Sequence, residues 1–290
     1  MSTLQNLFVF AFVVTSMLNM GLRLTLSQIL QPLRSTRLVI LSLAANFVIV
    51  PVAAFALSRV IPLGEDVQIG LLLLGTAAGA PFLPQLAQNA KSNVAFAVGL
   101  MTILMVVTIV YLPVVLPLLL PGVKVDTGQI AVSLIMQMLV PLLIGLFIKA
   151  RYEDTAGALQ PVVAQISNIS LALLLVLMLA VNFRSVLSLF GTGAILATLL
   201  FVSISVAGGY LLGGPSVDTK RVLALGTGQR NLAATFVIAT ANFAEQPNVL
   251  VYLTAVGLLT MVIMLPTTAE FAKHSKTAPG TTETTVTRQP

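Results

Sequence analysis

The chain has 290 residues, 57% of them hydrophobic and only 8% charged, with mean hydropathy +1.02 and a formal net charge of +6. Soluble domains carry roughly 25% charged residues, so this composition excludes a soluble fold, and at about 20 residues per span the length holds nine or ten spans with no room for a soluble domain. Cysteine is absent, which removes disulfides, thiolate nucleophiles and Cys metal sites, and no basic run interleaved with aromatics points to nucleic acid.

Apolar runs and the residues that punctuate them predict nine spans, at about 4–22, 36–58, 67–90, 93–119, 128–149, 161–182, 190–212, 219–243 and 248–269. The first, from Leu4 to Leu22, has no basic n-region and no small-residue cleavage site, and reads as a retained span. Pro51, Pro113, Pro117 and Pro141 fall inside spans and predict kinks, which membrane helices tolerate where neighbours satisfy the freed carbonyls. The third span is interrupted by Gly75-Thr76-Ala77-Ala78-Gly79-Ala80-Pro81 and the eighth by Gly226-Thr227-Gly228-Gln229-Arg230-Asn231. These breaks share the triplet Leu-Gly-Thr, at 74–76 and 225–227. Paired Gly/Pro-interrupted segments in the two halves of a chain point to the binding site of a transporter with repeats. Residues 1–270 thus form the transporter domain, and 271–290, aperiodic and rich in Thr, Pro and Lys, are expected to be a disordered cytoplasmic tail.

With the N-terminus outside, Arg23, Arg34, Arg37, Lys91, Lys149, Arg151, Lys220, Arg221, Lys273, Lys276 and Arg288 face the cytoplasm, leaving Arg59, Lys124 and Arg184 outside. The positive-inside rule therefore predicts a multi-pass cell-membrane protein with its N-terminus outside and its C-terminus in the cytoplasm.

All nine acidic residues fall in predicted loops, span ends or the tail, and the single histidine, His274, lies in the tail. Acid/base catalysis, a proton relay and a carboxylate-rich metal cage therefore have no candidates, so neither an enzyme, a cofactor nor a resident metal is expected. Neutral hydrogen-bonding residues remain at depth: Thr15, Ser16, Asn19, Asn46, Thr76, Gln85, Gln88, Asn89, Gln137, Gln229 and Asn231. Polar side chains of this kind commonly join membrane helices to one another. Arg230 is different, because a guanidinium keeps its charge at any ordinary pH and is expensive at membrane depth without an anion or a water-filled cavity. A half-helix starting near Asn231 would point its positive end at the same break. Candidate substrate-binding residues are Arg230, Asn231, Gln229, Thr76, Thr227, Asn19 and Asn46, and the chemistry they favour is that of a small organic anion.

The segments Met20-Gly21-Leu22-Arg23-Leu24-Thr25-Leu26, Ala45-Asn46-Phe47-Val48-Ile49-Val50-Pro51, the first broken span running into Asn93-Val94-Ala95, and Gly228-Gln229-Arg230-Asn231 resemble the bile acid:sodium symporter family, over about residues 4–270. The resemblance implies an all-α membrane protein of inverted repeats with core and panel domains, here of the nine-span kind. The broken helices 67–90 and 219–243 would cross at mid-membrane. Members of the family hold two sodium ions, one on a Ser-Asn pair and a glutamate, the other on that glutamate, backbone oxygens and two glutamines. Carried over by position, the Ser-Asn pair falls on Leu83 and Pro84, the glutamate on Gly226, and the glutamines on Asn46 and Arg230, while Asn231 matches the asparagine at the second crossing. A cation site that loses its carboxylate and gains a guanidinium should not hold sodium.

The expected function is secondary transport of small or amphipathic organic anions by alternating access, without sodium coupling. A sodium-coupled symporter with rearranged sites and a receptor-like membrane protein on the same fold are the alternatives. Arg230 would either clamp the anion or stand in for the lost sodium charge.

Overall fold

The computed structural model describes residues 3–25, 27, 35–120 and 126–275. Leu26, Arg34, Lys124, Lys276, Glu283, Arg288 and the expected tail from 276 onward lie outside the described residues. Among the described residues the chain is all helical, with no strand. In chain order the helices are α1 (Thr3–Arg23), α2 (Thr36–Val60), α3 (Glu65–Thr76), α4 (Leu83–Asn89), α5 (Val94–Leu119), α6 (Thr127–Arg151), α7 (Glu153–Ser188), α8 (Ala194–Leu212), α9 (Val217–Gly228), α10 (Leu232–Asn242) and α11 (Pro247–Lys273). Seven of them, α1, α2, α5, α6, α7, α8 and α11, are long and apolar enough to cross a bilayer. The two segments expected to be broken are each a pair of shorter helices, α3 with α4 and α9 with α10.

The last helix continues through Lys273, past the expected boundary at 269, and Glu270 pairs with Lys273 and His274 along its final turn. Spacings of three and four residues put these side chains side by side, so the charged end still supports helix.

Two of the prolines sit just past a local change of helix type. Pro51 follows a π-helical turn, Ala45–Ile49, and Pro141 follows another, Ile135–Leu139. Proline has no N–H and its ring crowds the carbonyl four residues back, and a π-bulge relieves that crowding. For Pro51 the carbonyl is that of Phe47, which instead accepts from the Tyr111 hydroxyl of α5 at 2.7 Å.

The helices fall into two packed sets. Helix α1 lies along both α6 and α7, with Gly21 and Gly145 letting the backbones of α1 and α6 close together. The rest pack among themselves: α8 on α9 and α2, α3 on α2, α5 and α11, and α4 on α5 and α11. Contacts of α6 with α5 and α10, of α1 with α10, and of α7 with α11 join the two sets. Helix α9 packs on α4 and α10 on α3, so each half-helix meets the opposite half of the other broken pair.

Candidate functional site

The two breaks are stitched to each other. Helix α3 ends at Thr76 and the chain runs non-helically to Phe82. Gly79 has φ +78, a conformation glycine adopts at no steric cost, and a Cβ there would run into the backbone of Met105 on α5. Thr108, one turn further along α5, holds Ala78 from both sides: Ala78 N donates to its Oγ1 at 3.0 Å and its hydroxyl donates to Ala78 O at 3.1 Å. From the second break, Asn231 N donates to Ala77 O at 3.0 Å, and Asn231 Nδ2 donates to Ala78 O at 3.3 Å and Gly79 O at 3.1 Å. Asn231 Oδ1 meanwhile caps α10 by accepting from Ala234 N at 3.1 Å.

The second break is shorter than the sequence suggests. Gly226, Thr227 and Gly228 are helical, because α9 runs on to Gly228 and only Gln229, Arg230 and Asn231 leave it. The backbone amide of Gln229 still reaches Leu225 O at 2.9 Å. The Gly-rich stretch therefore does not present a row of free amides, and its glycines serve packing instead: Gly226 lies against Leu83 and Gly228 against Val206 of α8 and Met264 of α11, while Gly209 of α8 admits the Thr227 hydroxyl.

Arg230 is 3% exposed and spends its donors inside the protein. Its Nε donates to Leu74 O at 2.9 Å, Nη2 to Gly75 O at 2.9 Å, and Nη1 to Asn46 Oδ1 at 2.8 Å and Thr227 O at 3.5 Å. Leu74 and Gly75 are in the last turn of α3, where carbonyls short of helical partners and the negative end of the helix dipole attract a cation, although Leu74 O also accepts from Ala77 N at 3.3 Å. Asn46 is presented by the π-turn of α2 and anchored by Nδ2 to Ser42 O at 3.0 Å. The arrangement is a fixed cation in a cage of oxygens.

The other candidates divide clearly. Thr76 turns its hydroxyl back onto Leu72 O at 2.7 Å, and Thr227 bonds Ser205 O of α8 at 2.7 Å as well as its own helix. Both are fully buried. Gln229 is 7% exposed and its side chain makes no hydrogen bond among the described residues. Asn19 is not tied to the crossing; its Oδ1 accepts from Gln160 Nε2 at 2.9 Å and links α1 to α7. Gln85, Gln88 and Asn89, read as deep polar residues, form the exposed face of α4. Thr108 and Tyr111 were not singled out from the sequence, although their spacing of three residues in a predicted helix puts both on one face.

The positions matched to the family's first sodium site are apolar and closed. Leu83 is fully buried, and a Cβ on Gly226 would lie 3.0 Å from its Cδ2 and 3.6 Å from Leu100 Cδ2. Among the described residues no group of His, Cys, Asp and Glu is placed to hold a metal ion.

The sequence profile of the Sodium Bile acid symporter family matches residues 10–189. The chain is 26% identical over 235 residues to a chloroplastic protein of Arabidopsis thaliana described as a probable sodium/metabolite cotransporter, an alignment covering 79% of this chain and 58% of the relative. It is 23% identical over 236 residues to an uncharacterized sodium-dependent transporter of Bacillus subtilis, covering 79% of this chain and 72% of the relative. The chain thus spans less than two thirds of the length of the Arabidopsis protein.

Proposed function

We propose that this chain, which belongs to the sodium bile acid symporter family, is a nine-span carrier of small or amphipathic organic anions that has replaced the sodium ion with a tethered arginine. The seven long helices, α7 among them with a kink at Asn182, and the two broken pairs, α3 with α4 and α9 with α10, would make up the nine spans. In the family's terms α1, α6 and α7 form the panel and the remaining helices the core. Sliding or rocking of one set against the other would give alternating access around the crossing.

The observation that carries the reading is the seat of Arg230. The resemblance matches Arg230 and Asn46 to two glutamines that hold sodium with backbone oxygens, and here the guanidinium itself lies against Asn46 Oδ1 and the carbonyls of Leu74 and Gly75. Of the two roles open to Arg230, this favours a counter-charge for the carbonyl cage over a clamp on the substrate. Gly226 closed by Leu83 supports the loss of the other ion. Both relatives are named for sodium, but of the side chains the resemblance assigns to its binding the Ser-Asn pair, the glutamate and one glutamine are missing from this chain, and only one amide survives, shortened, as Asn46.

Gln229, nearly buried with its amide unused, is the candidate left free to meet the substrate, with Asn231 and the start of α10 beside it. The polar, exposed face of α4 at Gln85, Gln88 and Asn89 supports a wetted approach, since amides facing lipid are costly. The cell membrane is the proposed location, with the N-terminus outside. Leu38 beside Gly214, and Ser275 Oγ on Lys91 O at 3.1 Å, bring the segments that carry Arg37, Lys91, Lys220 and Lys273 near one another, which supports this orientation under the positive-inside rule.

The test is ion replacement. Purified protein is screened for stabilisation by organic anions and then assayed for uptake in proteoliposomes, in sodium, potassium or choline. Equal binding and uptake in all three salts is expected. A many-fold stimulation by sodium would overturn the tethered-cation reading, and absence of any flux for anions that bind would favour the receptor-like alternative.

A further inference from the structure

Among the described residues two arginines are buried, and they are treated in opposite ways. Arg230 makes four hydrogen bonds, whereas Arg221, 5% exposed in the second turn of α9, makes no side-chain hydrogen bond and no ion pair with any described residue. What Arg221 has is a ring: its Cζ lies 5.9 Å from the centroid of Phe271 near the end of α11. Lys220 repeats the pattern beside it, with Nζ 5.8 Å from the ring of Tyr210 on α8. The rings of Tyr210 and Phe271 are themselves 6.2 Å apart.

These two rings close one end of a groove of about 550 Å³ between α8 and α11. Its walls are apolar, built from Val202, Val206, Leu211 and Ile263, with Ser203 and Ala207 exposed along its opening. From Ser203 to Leu211 it follows two turns of helix, roughly 12 Å at 1.5 Å per residue. The acidic groups on α9 and at the end of α11 do not pair with these cations. Glu270 is taken by Lys273 and His274, and Asp218 is exposed on the first turn of α9 with no ion pair. A guanidinium withdrawn from water with its donors unspent is costly unless an anion completes it.

We propose that this groove is a binding site for an acidic phospholipid, its acyl chain lying between α8 and α11 and its phosphate held by Arg221 and Lys220. The charge of the head and the apolar length of the groove are complementary to that occupant and to no neutral lipid. The basic end of the site lies where α11 is within two residues of its end and α9 is beginning, as a head at the membrane–water boundary requires. Basic pockets between helices at that level are suited to lipid phosphates. The aromatic pair gives the head an amphipathic collar, as rings at the interface do. Lipid bound there bridges α8, α9 and α11, so it would stiffen the packing behind the second broken pair independently of any substrate.

The test uses the purified full chain in detergent, with lipid retention read by native mass spectrometry and folding checked by melting temperature. Phosphatidylglycerol and phosphatidylcholine of identical acyl chains are offered together, and about tenfold preferential retention of phosphatidylglycerol is expected from two basic contacts. Lys220→Gln and Arg221→Gln should each lower that preference several-fold. Ala207→Trp, at an exposed position, should reduce retention of phosphatidylglycerol by blocking the groove, with the lipid-free melting temperature unchanged. Equal retention of the two lipids overturns the proposal, as does a preference unaltered in Lys220→Gln and Ala207→Trp. Displacement by glycerol 3-phosphate as effective as by phosphatidylglycerol also overturns it, in favour of a site for soluble anions.

Discussion

Arg230 and Asn46, 184 positions apart in sequence, are joined by a hydrogen bond of 2.8 Å from Nη1 to Oδ1. With Leu74 O, Gly75 O and Thr227 O, the asparagine completes a ring of oxygens around a charge that the chain carries itself. Removing that charge leaves the oxygens behind, and the cost of an uncompensated buried cluster is about 3 kcal/mol.

Arg230→Gln should therefore lower the melting temperature, and sodium should restore part of what is lost. The vacated cage offers backbone oxygens and Asn46 Oδ1 to a hard cation, and binding only to the folded state raises stability. Melting curves of wild type and variant in sodium and in choline decide the matter. The wild type should be indifferent to the salt, and a variant equally indifferent would argue against a cage able to take an ion.

Tyr111→Phe removes the donor that satisfies Phe47 O, the carbonyl freed by Pro51. A cost of about 1–2 kcal/mol is expected for the orphaned acceptor. Pro51→Ala supplies an N–H on the same helix, so Tyr111→Phe should cost less in that background. The coupling in a double-mutant cycle of unfolding free energies measures this, and strict additivity would mean the hydroxyl and the proline act separately.

Gly79→Ala should be among the most damaging small substitutions in the chain. The residue has φ +78, and its added Cβ would meet backbone atoms of Met105 that have nowhere to move. A loss of about 2–4 kcal/mol is expected, read as reduced yield of folded protein and a lower melting temperature. Gly226→Ala meets only the tips of Leu83 and Leu100, side chains that can shift, and should be milder.

A carrier without a coupling ion equilibrates its anion with the membrane potential, worth about 2.3 kcal/mol per charge per 100 mV. Proteoliposomes loaded with a labelled monovalent anion and made interior-negative by potassium diffusion should lose label faster than vesicles at zero potential. Uptake against that potential on imposing a sodium or proton gradient would reveal coupling. Efflux is thus the expected direction in an energised cell unless a counter-anion is exchanged.

Much of this molecule is legible in its residues. Long apolar runs fix the membrane class because a buried backbone in lipid must close its own hydrogen bonds, and the paired breaks at Gly75–Pro81 and around Arg230 stand out because charge and glycine interrupt runs that otherwise have neither. The family is legible too, through short motifs in order, and the profile match agrees. Periodicity, by contrast, did not mark the end of α9: Gly226 and Gly228 read as breakers but stay helical, because α8 and Leu83 pack closely on them.

What the sequence by itself determined was which groups are available at depth: one guanidinium in a break, amides and hydroxyls, and no carboxylate or imidazole. Only the tertiary structure decided what each of them meets. Arg230 finds the end of α3 and Asn46 through contacts spanning more than 150 residues, while Arg221, which the sequence places at the cytoplasmic end of the eighth span, is buried against Phe271 with its donors unspent. The physical reason is that hydrogen bonds and charge compensation depend on distances of about 3 Å between atoms, and in a bundle of crossing helices those distances are set by packing between segments far apart in the chain.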